Sequence, residues 1–426
     1  MKIYLDSVGC RLNQSEIERM ARQFRRAGHT LVASPQDCDI TVINTCTVTH
    51  AAAADSRSMA RKAHRRNPKS KIVLTGCWVS MEPESAQALP GISALIPNKD
   101  KEHLVSAVLD LPISLIDTPS TIRTPVPGTR RRTRAFIKVQ DGCNNRCAFC
   151  ITTVARGHSR SEPVIRVMSD VHAAIAGGAK EIVLTGVQLS AYGRDLNDGT
   201  HIGTLVASIL AETSIPRIRL SALEPWGLPK DLFSLWENPR LCRQLHFPLQ
   251  SGCERTLRNM GRPIRSTVYA RLLKKARKSI PGLAITTDVI VGFPGESDLD
   301  FKESLAFIEE MAFSRIHVFS YSPRPETPAS RLPNRVPTPI VRERSQQVRL
   351  LAEHSAKAFK SQFVNHVLDV LWESSHLKDT RNWEIKGLTD NYIRVRAQSD
   401  KERSNQLTPV RLLSVDGDEM LGEMVV

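Results

Sequence analysis

The chain has 426 residues, of which 41% are hydrophobic, and it carries a formal net charge of +15. This length favours two or three domains. The first residues lack the apolar run of a signal peptide, and no uncharged apolar stretch is long enough to cross a membrane. We therefore expect a cytoplasmic protein with no membrane partner, in which clustered cysteines indicate metal binding or catalysis more than disulfides.

Most of the positive charge lies in the middle of the chain. Residues 129–360 carry 35 basic and 21 acidic side chains and begin with an arginine run at 130–132. Residues 361–426 carry 8 basic and 11 acidic side chains. A positive field of this size favours a polyanionic partner such as RNA or DNA, although a merely solvated surface is the alternative.

The first segment of the chain alternates strand-like and helix-like stretches. Residues 2–5, 39–43 and 71–74 are predicted strands, and residues 15–27 have the pattern of a helix. Strands that alternate with helices form parallel sheets covered on both faces. We therefore predict an α/β domain with a doubly wound parallel sheet over residues 1–115.

Each of the three predicted strands is followed by a cysteine, namely Cys10, Cys46 and Cys77. The carboxyl ends of parallel strands meet at one edge of a sheet, where ligands bind. We therefore expect the three thiols to converge on a three-thiolate cluster site. Three unrelated buried cysteines are the alternative.

A second group of cysteines, Cys143, Cys147 and Cys150, has the spacing C-x3-C-x2-C. Thiolates at such spacing bind soft metals and iron–sulfur clusters. Zinc usually takes four ligands, and no second cysteine pair lies nearby. We interpret the loop as a site for a four-iron cluster with one iron free to bind a small molecule, and a structural metal knuckle is the alternative.

A linker around residues 112–130 precedes a repeated strand–helix pattern over residues 129–350. The predicted strands are residues 135–139, 181–184, 217–220, 244–247, 284–291 and 315–319, and helical runs at 164–176, 267–279 and 299–311 separate several of them. Six such units predict an open (βα)6 partial barrel that can admit a large substrate.

The residues just after the strands of a parallel barrel are candidates for cofactor binding. Glycines there allow close backbone approach, and polar side chains can orient an amino acid or a ribose. Together with Phe149 of the cysteine loop, the candidates are Gly186, Gln188, Ser221, Glu224, Gln250 and Gly292.

The C-terminal residues 360–426 have the pattern of a small β module that follows a basic helix at 341–363. The predicted strands are residues 367–371, 392–396, 409–415 and 423–426, with a turn at 387–391. A small five-stranded β-barrel of this kind can bind RNA through a basic and aromatic face. The acidic charge of the module also fits a structural cap.

Three cysteines, Cys38, Cys242 and Cys253, have no partner spacing. We interpret them as structural, and Cys253 is the candidate exception because it lies near a predicted strand end.

Taken together, these motifs resemble the radical SAM (S-adenosylmethionine) methylthiotransferase family over the whole chain. Residues 9–16, 44–49 and 75–77 look like its accessory-cluster domain, and residues 387–395 look like its TRAM module. The resemblance implies SAM and two 4Fe-4S clusters as cofactors, with six catalytic, metal-ligating cysteines. These are Cys10, Cys46 and Cys77 for the auxiliary cluster and Cys143, Cys147 and Cys150 for the SAM-binding cluster.

Within the family, the likeness is to the tRNA branch that acts on N6-threonylcarbamoyladenosine. Residues 13–14, 47–49 and 140–145 carry it. Residues 151–154 depart from the usual family pattern, and the acidic C-terminal module keeps the ribosomal-protein branch open beside the isopentenyladenosine tRNA branch.

The resemblance implies that the chain converts N6-threonylcarbamoyladenosine at position 37 of tRNA to its 2-methylthio derivative. Reduced flavodoxin or ferredoxin would supply an electron to cleave SAM, and the resulting 5′-deoxyadenosyl radical would abstract the hydrogen at C2. The auxiliary cluster would supply a methylated sulfur. We expect a monomer. A non-catalytic iron–sulfur protein that binds RNA and senses redox state is the alternative from another class.

Overall fold

The computed structural model describes residues 1–117, 121–128, 133–379 and 382–425. The N-terminal elements are β1 (Lys2–Ser7), α1 (Arg11–Arg26), β2 (Thr30–Leu31), β3 (Ile40–Thr45), α2 (His50–Arg66), β4 (Lys71–Gly76), α3 (Cys77–Met81), α4 (Pro83–Gln87), β5 (Ile92–Ile96), α5 (Leu104–Leu109) and α6 (Ile113–Ile116). The strands form one parallel sheet in the order β2-β1-β3-β4-β5. The predicted doubly wound parallel sheet is confirmed.

Helices cover both faces of this sheet, and successive side chains of each strand point to opposite faces, so both sets are buried. Val42 and Val73 pack with α1 and α5 on one face, whereas Ile43 and Leu74 pack with α2 and α3 on the other. The strands of the sheet are thus held between two apolar layers.

Helix α1 begins at Arg11 rather than at the predicted residue 15. Its N-cap residue is Cys10, which has extended backbone angles and makes no capping hydrogen bond with its side chain. Because the sequence offers no Ser, Thr, Asp or Asn at this position, the usual start signal is missing. The consequence is that Cys10 sits at the positive end of a helix.

The described part of the predicted linker packs against the rest of the protein. It contains α6, whose Ile116 is buried, and Arg123, which donates to both carboxylate oxygens of Glu18 at 2.7 and 2.8 Å. The arginine run at 130–132, predicted to begin the positive region, lies outside the described residues, as does residue 129.

The middle of the chain continues with β6 (Ala135–Lys138), β7 (Gln140–Asp141), α7 (Thr152–Arg156), β8 (Arg160–Ser161), α8 (Val164–Ala176), β9 (Glu181–Thr185), α9 (Ile202–Glu212), β10 (Arg217–Leu220), β11 (Gln244–His246), α10 (Glu254–Asn259), α11 (Ser266–Ser279), β12 (Ala284–Val291), α12 (Asp298–Glu310), β13 (Arg315–Ser320) and α13 (Thr338–Ser361).

Six of these strands form the predicted open barrel. Two parallel sheets, β10-β9-β6 and β11-β12-β13, are joined by parallel bridges from Ile218 to Leu241 and from Ala222 to His246. Within the described residues β6 and β13 are not paired, so the barrel stays open on that side. Its interior and the helices around it share one large apolar core.

The C-terminal strands are β14 (Val367–Asp379), β15 (Asn382–Thr389), β16 (Arg394–Ser399), β17 (Leu407–Asp416) and β18 (Glu419–Met424), and they close into a barrel in the order β14-β15-β16-β18-β17. The five-stranded barrel is confirmed, but the turn predicted at 387–391 is wrong in part. Gly387 pairs with Trp372 and Val395 inside β15, and a Cβ there would lie 2.4 Å from the Leu371 carbonyl oxygen. Glycine thus marks a close strand contact here rather than a turn. Residue 426, the predicted end of the last strand, lies outside the described residues.

The C-terminal barrel docks onto the open barrel through three arginines. Arg217 donates to the carbonyl oxygens of Leu388 and Asp369, and Arg219 to those of Thr389 and Asp390. Arg243 holds the Asp390 carboxylate with two bonds of 2.6 and 3.0 Å. These contacts place the loop between β15 and β16, with Tyr392, against the barrel interior.

None of the helices in the described parts of the chain is long and apolar enough to span a membrane.

Candidate active site

The loop that carries Cys143, Cys147 and Cys150 follows β6 and β7. The Gln140 side chain donates to the carbonyl oxygens of Asp141 and Gly142 at 2.9 and 2.7 Å. Gly142 has a φ of 69°, and a Cβ there would lie 1.9 Å from the His158 carbonyl oxygen. Only glycine fits this turn, so the glycine before Cys143 is required by the local geometry.

Nitrogen donors point at the sulfur atoms of this loop. The backbone N–H groups of Asn145 and Thr152 lie 3.4 Å from the sulfurs of Cys143 and Cys150, respectively. N–H groups aimed at sulfur stabilise thiolates and sulfur-bound clusters.

Arg262 contacts the remaining sulfur of the loop and was not predicted from the sequence. Its guanidinium lies 3.8 Å from Cys147 Sγ, and it makes two bonds, of 3.2 and 2.8 Å, to Glu224. It also lies 4.4 Å from the centre of the Trp226 ring. The buried cation thus joins a predicted cofactor-binding residue to the cysteine loop. An arginine before a proline carries no sequence signal for this role.

Three of the other predicted cofactor-binding residues gather beside the loop. The Cys143 thiol donates to Gln188 Oε1 at 3.4 Å. The Gly186 backbone N–H donates to Ser221 Oγ at 3.3 Å. A Cβ on Gly186 would lie 2.9 Å from Gln140 Oε1, so this position also needs glycine.

The last three predicted residues have different surroundings. Phe149 packs in a small apolar cluster with Met260 and Phe293. Gln250 is buried and has a φ of 77°, which is uncommon for a residue other than glycine. Gly292 faces α13, because a Cβ there would lie 2.4 Å from a Val341 methyl group. The close packing of Gly292 against α13 therefore explains why this position is glycine.

Cys10, Cys46 and Cys77 converge at the carboxyl ends of β1, β3 and β4, where all three line one cavity. Gly9 makes this approach possible. It has a φ of 95°, and a Cβ there would lie 2.7 and 2.8 Å from Cys46 Cβ and Sγ. The Asn98 side chain donates to Cys77 Sγ at 3.4 Å and to the Ala155 carbonyl oxygen.

Burial disfavours the ionised form of several of these thiols. It raises the pKa of Cys46 and of Cys143 to about 11, and it also raises the pKa of Cys147. Metal binding releases such protons and stabilises the thiolates. The donor chemistry of both groups of cysteines thus fits iron–sulfur clusters.

A buried ion network connects the two groups of cysteines. Arg156, just after the cysteine loop, donates to Asp141 at 2.9 Å, to Glu16 at 3.0 Å and to Asn13 at 2.5 Å. Lys101 holds the second oxygen of Glu16 at 2.8 Å. Burial opposes the charge of Glu16, but Lys101 and Arg156 lower its pKa to about 2. The network fixes the N-terminal sheet against the barrel.

The two domains and the C-terminal barrel together line a partly open cavity of about 550 Å³. Cys10, Cys46 and Cys77 line it, as do the strand-end residues Gly186 and Ser221. The cysteines of the loop do not, although their neighbours Ile151 and Thr152 do. The cavity is large enough for a modified purine base.

A polar group that sequence reasoning missed lies on the barrel wall of this cavity. Asp288 contacts His246 at 3.3 Å and His317 at 3.0 Å. Burial favours the neutral acid, but these two hydrogen bonds keep the pKa of Asp288 well below its usual range. The three side chains come from adjacent strands and alternate with core residues, so the strand pattern alone gave no signal.

The remaining cysteines are buried away from the cavity. Cys38 contacts Thr41 and Ser70, and Cys242 lies 3.9 Å from Glu181. Cys253, the candidate exception, donates to Asp300 at 3.3 Å.

Residues 2–96 match the family described as uncharacterized protein family UPF0004, and residues 137–308 match the radical SAM superfamily. The fold is similar to that of TsrM, a radical S-adenosylmethionine methyltransferase from Kitasatospora setae solved with cobalamin and a 4Fe-4S cluster. The TM-score is 0.58 at 14% identity, over 77% of each chain. The fold and the cysteine loop thus define a radical SAM enzyme.

Relatives that match most of the chain identify its family within the radical SAM enzymes. The chain is 34% identical to threonylcarbamoyladenosine tRNA methylthiotransferase MtaB of Bacillus subtilis (strain 168), over 96% of this chain and 92% of the relative. It is 30% identical to ribosomal protein uS12 methylthiotransferase RimO of Roseiflexus castenholzii (89% and 86%) and 32% identical to tRNA-2-methylthio-N(6)-dimethylallyladenosine synthase of Thermobifida fusca (85% and 76%). The chain belongs to the radical SAM methylthiotransferase family, whose enzymes use SAM and 4Fe-4S clusters.

Proposed function

We propose that the protein is a tRNA methylthiotransferase that converts N6-threonylcarbamoyladenosine at position 37 to its 2-methylthio derivative. The observation that carries this proposal is the convergence of Cys10, Cys46 and Cys77 on the cavity at the strand ends of the radical SAM barrel. The relative that covers nearly the whole chain at 34% identity is named for this substrate.

We assign the two groups of cysteines to two clusters. Cys143, Cys147 and Cys150 would hold the cluster that binds SAM, and Cys10, Cys46 and Cys77 would hold the auxiliary cluster. When bound, these groups supply the radical and the methylated sulfur that replace the C2 hydrogen of the adenine with a methylthio group. Reduced flavodoxin or ferredoxin is the electron donor that we propose.

The protein's own residues position these groups and exclude water. Gln140 and Gly142 fix the cysteine loop, and Arg262 joins Glu224 to Cys147. Arg156 fixes the N-terminal sheet on the barrel through Glu16 and Asp141. Cys10, Cys46 and Cys77 line the cavity, and so do Ile151 and Thr152 beside the cysteine loop, so a base bound there would lie near both groups of cysteines.

A ribosomal protein substrate is the second candidate, and the acidic C-terminal barrel favours it. Residues 361–426 carry 8 basic and 11 acidic side chains, which is unusual for a module that binds RNA. Six of the described acidic side chains make ion pairs within the barrel or with Arg243 and Arg315, which reduces their effect on a polyanion.

The test is an anaerobic assay of the purified, cluster-loaded protein with dithionite, SAM and three substrates. These are an anticodon stem-loop with N6-threonylcarbamoyladenosine, one with N6-isopentenyladenosine, and ribosomal protein uS12. We expect methylthiolation of the first RNA, and its loss when Cys10 or Cys147 is changed to Ala. Methylthiolation of only the second RNA, or only of the ribosomal protein, would overturn the substrate assignment. Absence of 5′-deoxyadenosine would indicate a non-catalytic protein.

A further inference from the structure

Arg11 is a half-buried cation of the cavity that forms no ion pair within the described residues. Its counterpart on the cavity wall, Arg156, is paired with Glu16 and Asp141 at 3.0 and 2.9 Å. The cavity also contains Asp288, but that carboxylate is held by two histidines. Arg11 therefore differs from the other charged residues of the cavity, because its charge has no protein partner.

The position of Arg11 is nevertheless fixed. Its Nη2 donates to the hydroxyl of Tyr392 at 2.6 Å, and its guanidinium lies 5.7 Å from the centre of that ring. Tyr392 has a φ of 68° and is held from another side by Arg219, 5.1 Å from the ring centre. This is the one hydrogen bond that the Arg11 side chain makes in the described chain, so most of its donors remain free for a ligand.

The end of the cavity at Tyr392 is electrostatically positive. Burial favours the neutral phenol, yet the guanidinium groups of Arg11, Arg134 and Arg219 lower the pKa of Tyr392. Arg134 and Arg219 have carboxylate partners in Glu373 and Glu181. Arg11 thus supplies the uncompensated part of this positive potential, which favours an anion.

We propose that Arg11, positioned by Tyr392, binds the carboxylate of an acidic N6 substituent on the target adenine and thereby selects the substrate. This inference rests on the proposed function, because the threonylcarbamoyl group ends in a carboxylate. The planar guanidinium matches a carboxylate with two parallel hydrogen bonds. A purely apolar N6 substituent would leave the cation desolvated and unpaired, and that cost disfavours it.

The test compares two anticodon stem-loops that differ only in the charge of the substituent. One carries N6-threonylcarbamoyladenosine, and the other carries the corresponding neutral carboxamide. The measured quantity is kcat/KM for the methylthiolated nucleoside, read by mass spectrometry. We expect wild-type protein to prefer the acid about 100-fold, because a site built for a charged partner discriminates strongly against its absence.

The Arg11→Gln variant should lose most of this preference, with kcat/KM for the acid falling and that for the amide nearly unchanged. Arg11→Lys should keep part of it. Arg349→Gln removes an exposed arginine of α13 and should keep the wild-type ratio. Formation of 5′-deoxyadenosine without RNA is measured for each variant as the check on SAM cleavage.

Two results would overturn this inference while leaving the proposed function intact. The first is a wild-type ratio near one, and the second is an equal loss of both activities in Arg11→Gln, as expected for a phosphate contact. Wild-type protein that modifies the isopentenyl RNA and neither of these two would overturn both proposals together.

Discussion

The absence of a side chain at Gly9 lets Cys46 approach Cys10. Ala at this position would place a Cβ 2.7 Å from Cys46 Cβ, and the φ of 95° adds backbone strain. Gly28 has a φ of 79°, but a Cβ there would meet no atom within 4 Å, so it provides a matched control. A comparison of Gly9→Ala with Gly28→Ala therefore separates the effect of backbone strain from that of steric contact with Cys46.

We predict that Gly9→Ala loses the auxiliary cluster and retains the cluster of the C-x3-C-x2-C loop. Each 4Fe-4S cluster holds four irons, so reconstituted protein should fall from about eight irons per chain to about four. Gly28→Ala should keep about eight and lose only about 1 kcal/mol of unfolding free energy. Iron and sulfide analysis with electron paramagnetic resonance measures this. Full iron content in Gly9→Ala would contradict the assignment of Cys46 as a ligand.

Glu16 stabilises the folded state only when it is ionised. Lys101 and Arg156 lower its pKa from 4.5 to about 2, so its contribution is complete above pH 4.5 and is lost as the pH falls toward 2. Removing the carboxylate also leaves Lys101 without its buried partner, whereas Arg156 keeps Asp141.

We therefore predict that Glu16→Gln is less stable than wild type at pH 7 and loses less stability between pH 4.5 and 2. Urea unfolding of the metal-free protein across this range measures the difference. Glu353→Gln, at an exposed position of α13, serves as the control and should follow wild type. An acid transition in Glu16→Gln as steep as that of wild type would show that Glu16 does not contribute to it.

At the scale of elements, the loop between β15 and β16 holds the C-terminal barrel on the radical SAM barrel through hydrogen bonds and an ion pair. Asp390 of this loop forms a partly buried ion pair with Arg243, with two hydrogen bonds of 2.6 and 3.0 Å. Partly buried, two-bond pairs of this kind couple more strongly than exposed ones. The pair also fixes the loop that carries Tyr392.

We predict that Arg243→Ala and Asp390→Ala are not additive, with a coupling energy of about 1 kcal/mol in a double-mutant cycle. Either change should also make the junction near residue 366 more sensitive to protease, because the C-terminal barrel is held less firmly. Fully additive effects with unchanged cleavage would mean that other contacts hold the barrel.

Helices and strands could be predicted where the hydrophobic pattern was periodic and the residues at the ends gave the usual boundary signals. The strand Arg217–Leu220 and the helix Val164–Ala176 have the bounds that the pattern predicted. The strand Asn382–Thr389 was missed because Gly387 normally signals a turn, whereas here it is required by the Leu371 carbonyl oxygen. Contacts between distant strands leave no local signal.

At the scale of the whole molecule, the convergence of Cys10, Cys46 and Cys77 could be predicted because parallel strands end at one edge. The roles of Arg262, Arg156 and the group around Asp288 could not, since each depends on residues far away in sequence. Gly292 shows the opposite case, where a strand-end position instead packs against a helix.

The central claim is that this protein inserts sulfur into a tRNA nucleoside in the cell. Nucleoside mass spectrometry of bulk tRNA from cells with and without the gene tests it most directly, with complementation by wild type and by Cys10→Ala. We predict loss of 2-methylthio-N6-threonylcarbamoyladenosine, accumulation of N6-threonylcarbamoyladenosine, and rescue by wild type alone. An unchanged level of the methylthiolated nucleoside in cells without the gene, or full rescue by Cys10→Ala, would contradict the account.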